Sequence, residues 1–282
     1  MNDQQVKLSP KILSGIDARE ARLPRLIGAL KKIKPMPGLA IIQVGDRADS
    51  TSYIKAKMAF AEKVGINARH IHLVESVSQE TLIGEIKKLN SDPSVKGIIV
   101  QLPLPAQIDR DIVINTIEPC KDIDGLTSTQ VVRLSEGRPN AIVPATARGV
   151  MDLLDYYKID VNGKRVTVIG RSALVGKPLA QLFKNAGSIV TVAHSKTVDL
   201  VAETSSADIL VVAVGKANLI TARHVKPGQI IIDIGRDVDF EAVKTIIGST
   251  GAITPGIGGV GPMTVLALFE NLADVCKPVG KE

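Results

Sequence analysis

The sequence predicts two α/β domains with mostly parallel sheets and a cleft between them. Short apolar runs of Val, Ile and Leu alternate with segments of helical periodicity. Those runs are apolar throughout rather than every second residue, as strands are when both sheet faces are covered. A stretch rich in Asp, Thr, Pro and Gly, from Asp109 to Pro144, splits the alternation into two series and holds the domain connection. A cleft between two such domains is a common place for a ligand.

After a polar start, Lys11 to Lys32 reads as a helix. Gly38 to Val44 is a buried strand. Ser50 to Val64 is a helix opened by a Ser/Thr cluster suited to capping. Ala68 to Val74 is a second strand. Gln79 to Leu89 is a helix with Leu82, Ile86 and Leu89 on one stripe. Gly97 to Leu102 is a third strand, stopped by Pro103 and Pro105. Beyond the connection, Ala147 to Tyr157 is a helix. Strands at Arg165 to Ile169, Ile189 to Ala193, Ile209 to Val214 and Ile230 to Ile234 follow, with a helix at Val175 to Asn185. Pro262 to Leu272 is a closing helix.

Composition narrows the function. The 282 residues are 45% hydrophobic and 23% charged, ordinary for a globular chain with a full core. With 4 Phe, 3 Tyr and no Trp, the chain lacks the stacking platforms of single-strand nucleic-acid binders. The 35 Lys and Arg against 29 Asp and Glu give +6, spread thinly, which suits small polyanions such as dinucleotides. Cys120 and Cys276 form neither a disulfide framework nor a metal site, and the four histidines show no metal spacing. No metal is expected. The polar start lacks the apolar core of a secretion signal, and no apolar run has bilayer-spanning length, so a cytoplasmic location is expected, with neither nucleic-acid nor membrane partner.

In the second half, RVTVIGRSALVGKPLAQLF is a strand, a glycine turn and a helix. Backbone N–H groups and the helix dipole converge on the turn that carries Gly170, Arg171 and Ser172, which favours a phosphate. The spacing is not G-x-G-x-x-G, and an ordinary tight βα turn is the alternative. The next strand ends in His194, Ser195, Lys196 and Thr197, with no acid before Asp199. An acid there would bind ribose hydroxyls; hydroxyls and cations instead suit a 2′-phosphate, as does Arg171, so NADP is preferred to NAD. A solvated strand end is the alternative. The glycine-rich loop before Thr264 can pass close to a flat ring, with Thr264 capping or abutting the next helix.

In the first half, Tyr53 and Lys57 stand four apart on one helix face, beside a stripe of Ile54, Met58 and Ala61. A partly desolvated Lys57 would have its charged form disfavoured, which suits proton transfer near neutral pH. From spacing alone, a snorkelling surface lysine is the commoner outcome. Gln101 ends the third strand before Pro103 and shares the sheet edge, where an amide can hold or orient an amine. A carboxylate of the Lys121–Gly125 turn can accept two N–H bonds from a heterocycle, or simply form an Asx-turn.

Taken together, S-x-x-Y-x-x-x-K (Ser50, Tyr53, Lys57), V-Q-L-P-L-P (Val100 to Pro105), K-D-I-D-G-L (Lys121 to Leu126), G-R-S-x-x-V-G-x-P (Gly170 to Pro178), H-S-K-T (His194 to Thr197) and G-G-V-G-P-M-T (Gly258 to Thr264) stand in one order from Val44 to Asn271. The set resembles the bifunctional methylenetetrahydrofolate dehydrogenase/cyclohydrolase family and reverses the odds on Lys57. The resemblance implies a folate-binding catalytic domain over 1–124 and a Rossmann-type NADP domain over 125–282, the last helix packing back on the first domain. A homodimer is also implied. The implied activity is NADP-dependent oxidation of 5,10-methylenetetrahydrofolate to the methenyl cation, then hydrolysis to 10-formyltetrahydrofolate. It makes Lys57 catalytic, with Gln101 adjusting its protonation. Tyr53 orders the pocket and Asp124 and Pro103 contact the folate. Gly170, Arg171, Ser172, Ser195, Arg236 and Thr264 fall on cofactor positions. Three departures lie on the cofactor side. Pro144-Ala145-Thr146-Ala147 replaces P-C-T-P. The segment after the fourth strand is shortened, so that Ile234-Gly235 runs directly into Arg236-Asp237-Val238-Asp239-Phe240. Thr254 to Gly259 replaces T-P-V-P-G-G. Two alternatives are a cyclohydrolase with weakened dehydrogenase, and a non-catalytic regulator that binds folate or dinucleotide. A shikimate-type dehydrogenase shares the layout without reason to carry the folate-side set.

Overall fold

The computed structural model describes residues 9–277; the first eight residues of the polar start and residues 278–282 lie outside them. In chain order the elements are β1 (Lys11–Ile12), α1 (Gly15–Lys31), β2 (Gly38–Val44), α2 (Ala48–Val64), β3 (Asn67–Leu73), α3 (Gln79–Ser91), β4 (Val95–Val100), α4 (Arg110–Thr116), α5 (Ser128–Ser135) and α6 (Ala145–Tyr156). There follow β5 (Arg165–Ile169), α7 (Gly176–Asn185), β6 (Ile189–Ala193), α8 (Leu200–Ser206), β7 (Ile209–Val212), β8 (Ile230–Asp233), α9 (Phe240–Ile247), β9 (Ala252–Ile253) and α10 (Val260–Val275). Among the described residues, no helix is long and apolar enough to cross a membrane.

The chain divides into two compact units, one holding residues 22–145 and 265–277, the other residues 9–21 and 146–264. This differs from the expected boundary at 124/125 in two places. β1 pairs in parallel with β9, which draws the start of the chain into the second unit. Residues 125–145 stay with the first because Gln130 lies between them and the preceding turn. Its Nε2 donates to Pro119 O at 2.8 Å and its Oε1 accepts from Ile142 N–H at 2.9 Å.

The first unit is built on a three-stranded sheet, order β3-β2-β4, with both pairings parallel. Ala40, Ile42, Ile98 and Val100 of its strands pack with Leu82, Ile86 and Leu89 of α3 in one core. The stripe expected on α3 is thus the buried one, and Ser78 caps this helix by accepting Thr81 N–H at 3.2 Å. α2 is less orthodox. It starts at Ala48, and its cap residue Arg47 makes no side-chain cap bond, so the Ser/Thr cluster does not cap it. Asp109 caps α4, accepting from Asp111 N–H at 2.8 Å and Ile112 N–H at 3.0 Å.

The second unit holds a six-stranded, all-parallel sheet of order β1-β9-β8-β7-β5-β6. From β5 the chain goes to β6 on one side and then to β7 on the other. The carboxyl ends of β5 and β7 therefore flank a topological switch point, where sheets of this kind bind ligands. Leu210, Val212, Ile231 and Ile253 form its core with Val243 and Ile247 of α9.

Candidate active site

The buried residues of α2 include Ser50, Ile54, Lys57, Ala61 and Val64, a stripe of three- and four-residue steps. Lys57 is a member of that stripe, 8% exposed, rather than a neighbour of it. Its Nζ donates to Gln101 Oε1 at 2.9 Å. Gln101 Nε2 in turn donates to Leu102 O at 2.8 Å, which turns the amide oxygen toward the amine. The Gln101 N–H donates to Ile42 O at 2.8 Å, so the glutamine sits where β4 leaves β2, at the carboxyl edge.

Asp124 reaches this place through a firmly tied turn. Lys121 Nζ donates to the carbonyls of Leu89, Asn90 and Asp92 at 3.0, 2.5 and 2.9 Å, closing the C-terminal end of α3. Asp122, 1% exposed, accepts from Gly125 N–H at 2.9 Å and Thr127 N–H at 2.8 Å. Asn271 Nδ2 donates to Ile123 O at 2.8 Å. Asp122 thus makes the Asx-turn, while Asp124 interacts electrostatically with Lys57. Burial pulls the Lys57 amine below its ordinary pKa and the charge of Asp124 opposes that. Burial pushes the Asp124 carboxyl above the usual range and Lys57 opposes it. Gln101 Oε1 accepts from either protonation state of the amine, so it orients Lys57, and the lowered basicity comes from burial.

Tyr53 is 61% exposed one turn before Lys57. Pro103 follows a cis bond and lines a cavity of about 480 Å³ with Val44, Arg47, Glu75 and Leu104.

On the second sheet, Gly170 ends β5 at φ 108°, and a Cβ there would meet Ala213 O at 2.5 Å. A Cβ on Gly176 would collide with Gly170 O. The turn therefore has no room for side chains at either glycine, and backbone faces the α7 N-terminus. Ser172 holds it: Oγ accepts from Val175 N–H at 3.2 Å and Gly176 N–H at 3.4 Å. Arg171 is exposed beside it. After β6, Thr197 Oγ1 accepts His194 N–H at 2.9 Å and leaves Ser195 and Lys196 exposed. Asp199, the first acid, caps α8 by accepting Ala202 N–H at 2.9 Å. A cradle that excludes Cβ atoms, a helix N-terminus and exposed Arg171, Ser195 and Lys196 fit a dinucleotide bearing an extra phosphate. Arg236 is exposed in the left-handed region at φ 60°. Thr264 does not cap the last helix. α10 already starts at Val260, and the Thr264 hydroxyl donates back to Val260 O at 3.3 Å.

Two family descriptions match this chain: tetrahydrofolate dehydrogenase/cyclohydrolase, catalytic domain, over residues 12–124, and its NAD(P)-binding domain over residues 144–279. The chain belongs to the tetrahydrofolate dehydrogenase/cyclohydrolase family. It is 44% identical to the bifunctional protein FolD of Geobacillus thermodenitrificans (strain NG80-2), over 96% of this chain and 98% of that one. A crystal structure of the bifunctional FolD enzyme from Campylobacter jejuni superposes with a TM-score of 0.90 at 38% identity, covering 95% of this chain and 99% of that one. The Trypanosoma brucei FolD, solved with NADP cofactor and inhibitor, gives 0.89 at 33% identity over 95% and 97%.

Within this member of the family, sequence reasoning missed two acids. Asp233 ends β8 at 7% exposure, and Asp237 is fully buried. Burial pushes the Asp233 carboxyl up, with backbone N–H groups of Asp237 and Val238 opposing. An aspartate four residues beyond a buried strand end was the available signal.

Proposed function

We propose that Lys57, oriented by Gln101 and coupled to Asp124, is the proton-transfer centre of the hydrolase step. The chain is a bifunctional methylenetetrahydrofolate dehydrogenase and methenyltetrahydrofolate cyclohydrolase that uses NADP. The 2.9 Å contact between a buried amine and an amide oxygen carries the reading. Water adds to the methenyl carbon and gives one proton to the neutral Lys57 amine. The tetrahedral carbinolamine then opens. Its hydroxyl proton ends on N5 as the carbon–N5 bond breaks, and the proton on Lys57 is released to solvent. Asp124 binds the pterin ring while Tyr53 and Pro103 border the substrate. In the oxidising step, bound NADP supplies the hydride acceptor. Gly170, Arg171, Ser172, Ser195, Arg236 and Thr264 bind and orient it. We assign folate binding to the unit of residues 22–145 and NADP binding to the unit of residues 146–264, in a cytoplasmic homodimer.

The test is to follow both half-reactions separately with purified protein, comparing NADP with NAD. NADP reduction by methylenetetrahydrofolate and hydrolysis of the methenyl compound are both expected. Arg171→Ala should raise the KM for NADP by about 10- to 100-fold, from loss of a charge-assisted bond of about 1.5–3 kcal/mol, with little effect on NAD. Equal loss for both cofactors would refute the 2′-phosphate assignment.

A further inference from the structure

We propose that Asp237 is a positioning residue of the NADP site, fastening the wall of the crevice that faces the Gly170 turn. The inference rests on the NADP reading above and goes beyond it, because Asp237 would touch no part of the cofactor. The crevice at the switch point has two walls. One is the turn after β5, with Gly170 set against Ala213. The other is the segment after β7, where Val214 to Asn218 are all exposed, with Gly215 at φ 77° and Asn218 at φ 55°. A loop so open needs an outside tie to hold one shape.

Asp237 is that tie. Its Oδ2 accepts from Val214 N–H at 2.9 Å and its Oδ1 from Lys216 N–H. One fully buried carboxylate thus holds two amides on either side of Gly215. The acid is itself held. Its N–H donates to Asp233 Oδ1 at 2.9 Å, Val238 N–H donates to Asp233 Oδ2 at 3.2 Å, and Asp233 N–H donates to Thr254 Oγ1 at 2.8 Å. Backbone bonds add to this: Ile220 N–H to Asp237 O at 3.1 Å, and Asp239 N–H to Ile220 O at 2.8 Å. Gly235 completes the fit, since a Cβ there would strike Asp237 Oδ2 and stand 2.7 Å from Gly215 N. The short link after β8 is what sets these groups side by side: only Ile234, Gly235 and Arg236 separate Asp233 from Asp237. The same ties hold Arg236 in its left-handed conformation, exposed at the edge. Backbone held in such a region persists only where its surroundings fix it.

Two variants test this. Asp237→Asn replaces one acceptor oxygen by a donor, and Gly235→Ala drives a methyl group between carboxylate and loop. Three quantities are read on each: equilibrium NADP binding, amide exchange of Val214 and Lys216 without cofactor, and cyclohydrolase kcat and KM. The expected result is a tenfold or greater rise in the NADP dissociation constant. Exchange at both amides should be at least tenfold faster, and cyclohydrolase constants should stay within twofold of wild type. NADP affinity within threefold of wild type in either folded variant would overturn the proposal. So would a parallel fall of NADP binding and hydrolysis, the mark of a structural prop. If Asp237→Asn does not fold, Gly235→Ala decides by the same figures; failure of both to fold makes Asp237 a fold residue and overturns the proposal. Wild-type protein that does not bind NADP would instead refute the underlying reading, and the exchange arm would still report whether Asp237 holds the loop.

Discussion

Lys57 shows how one side chain acquires a reactive state from its neighbours. At 8% exposure its ammonium form loses most of its hydration, and Asp124 returns part of that cost. The amine therefore titrates below the ordinary lysine value of 10.5. If the neutral amine takes the proton from water, cyclohydrolase kcat rises with pH through an inflection below that value. Asp124→Asn removes the charge that favours the ammonium form, so it should move the inflection to lower pH. A pH series of kcat on both proteins checks this; an unmoved or raised inflection would show that Asp124 does not act on Lys57. Much of this site was legible in the residues themselves. Helical spacing puts Tyr53 and Lys57 on one face, and parallel first and third strands bring Gln101 to the same sheet edge. Burial was not legible: spacing placed Lys57 beside the apolar stripe, whereas α2 places it within the stripe.

At the scale of elements, the turn carrying Asp124 depends on Lys121. Its ammonium meets three carbonyls at the end of α3 while Asp122 binds two N–H groups farther on. Lys121→Met would leave those carbonyls without a buried donor and destabilise the fold by about 1–3 kcal/mol. A lowered urea midpoint with unchanged slope is the expected observation, and an unchanged midpoint would show the contact to be energetically neutral. The long strands were readable because their apolar runs are uninterrupted. β1 was not: its two residues were taken into the first helix, and only its partner β9, some 240 positions away, makes it a strand. The helices α4 and α5 were also missed. They have 7 and 8 residues, too few for periodicity to stand out from the polar stretch around them.

Across the whole molecule, the proposed assignment divides the chemistry between the two units. It gives the amine, amide and carboxylate of hydrolysis to one and the phosphate cradle of the oxidising step to the other. The order of the motifs announced this division, because all but K-D-I-D-G-L come after a strand, on the side where open α/β sheets bind ligands. The ties between loops stayed hidden. Asp237 and Asn271 act on backbone groups more than twenty and more than a hundred positions away, and no local pattern marks such pairs. The division makes the two activities separable by mutation, and Lys57→Met tests that most directly. In a folded Lys57→Met protein the cyclohydrolase rate should fall by about 10²–10⁴-fold, the usual contribution of a positioned acid–base group, while NADP binding stays at the wild-type level. Hydrolysis retained within a few-fold of wild type would contradict the account at its centre.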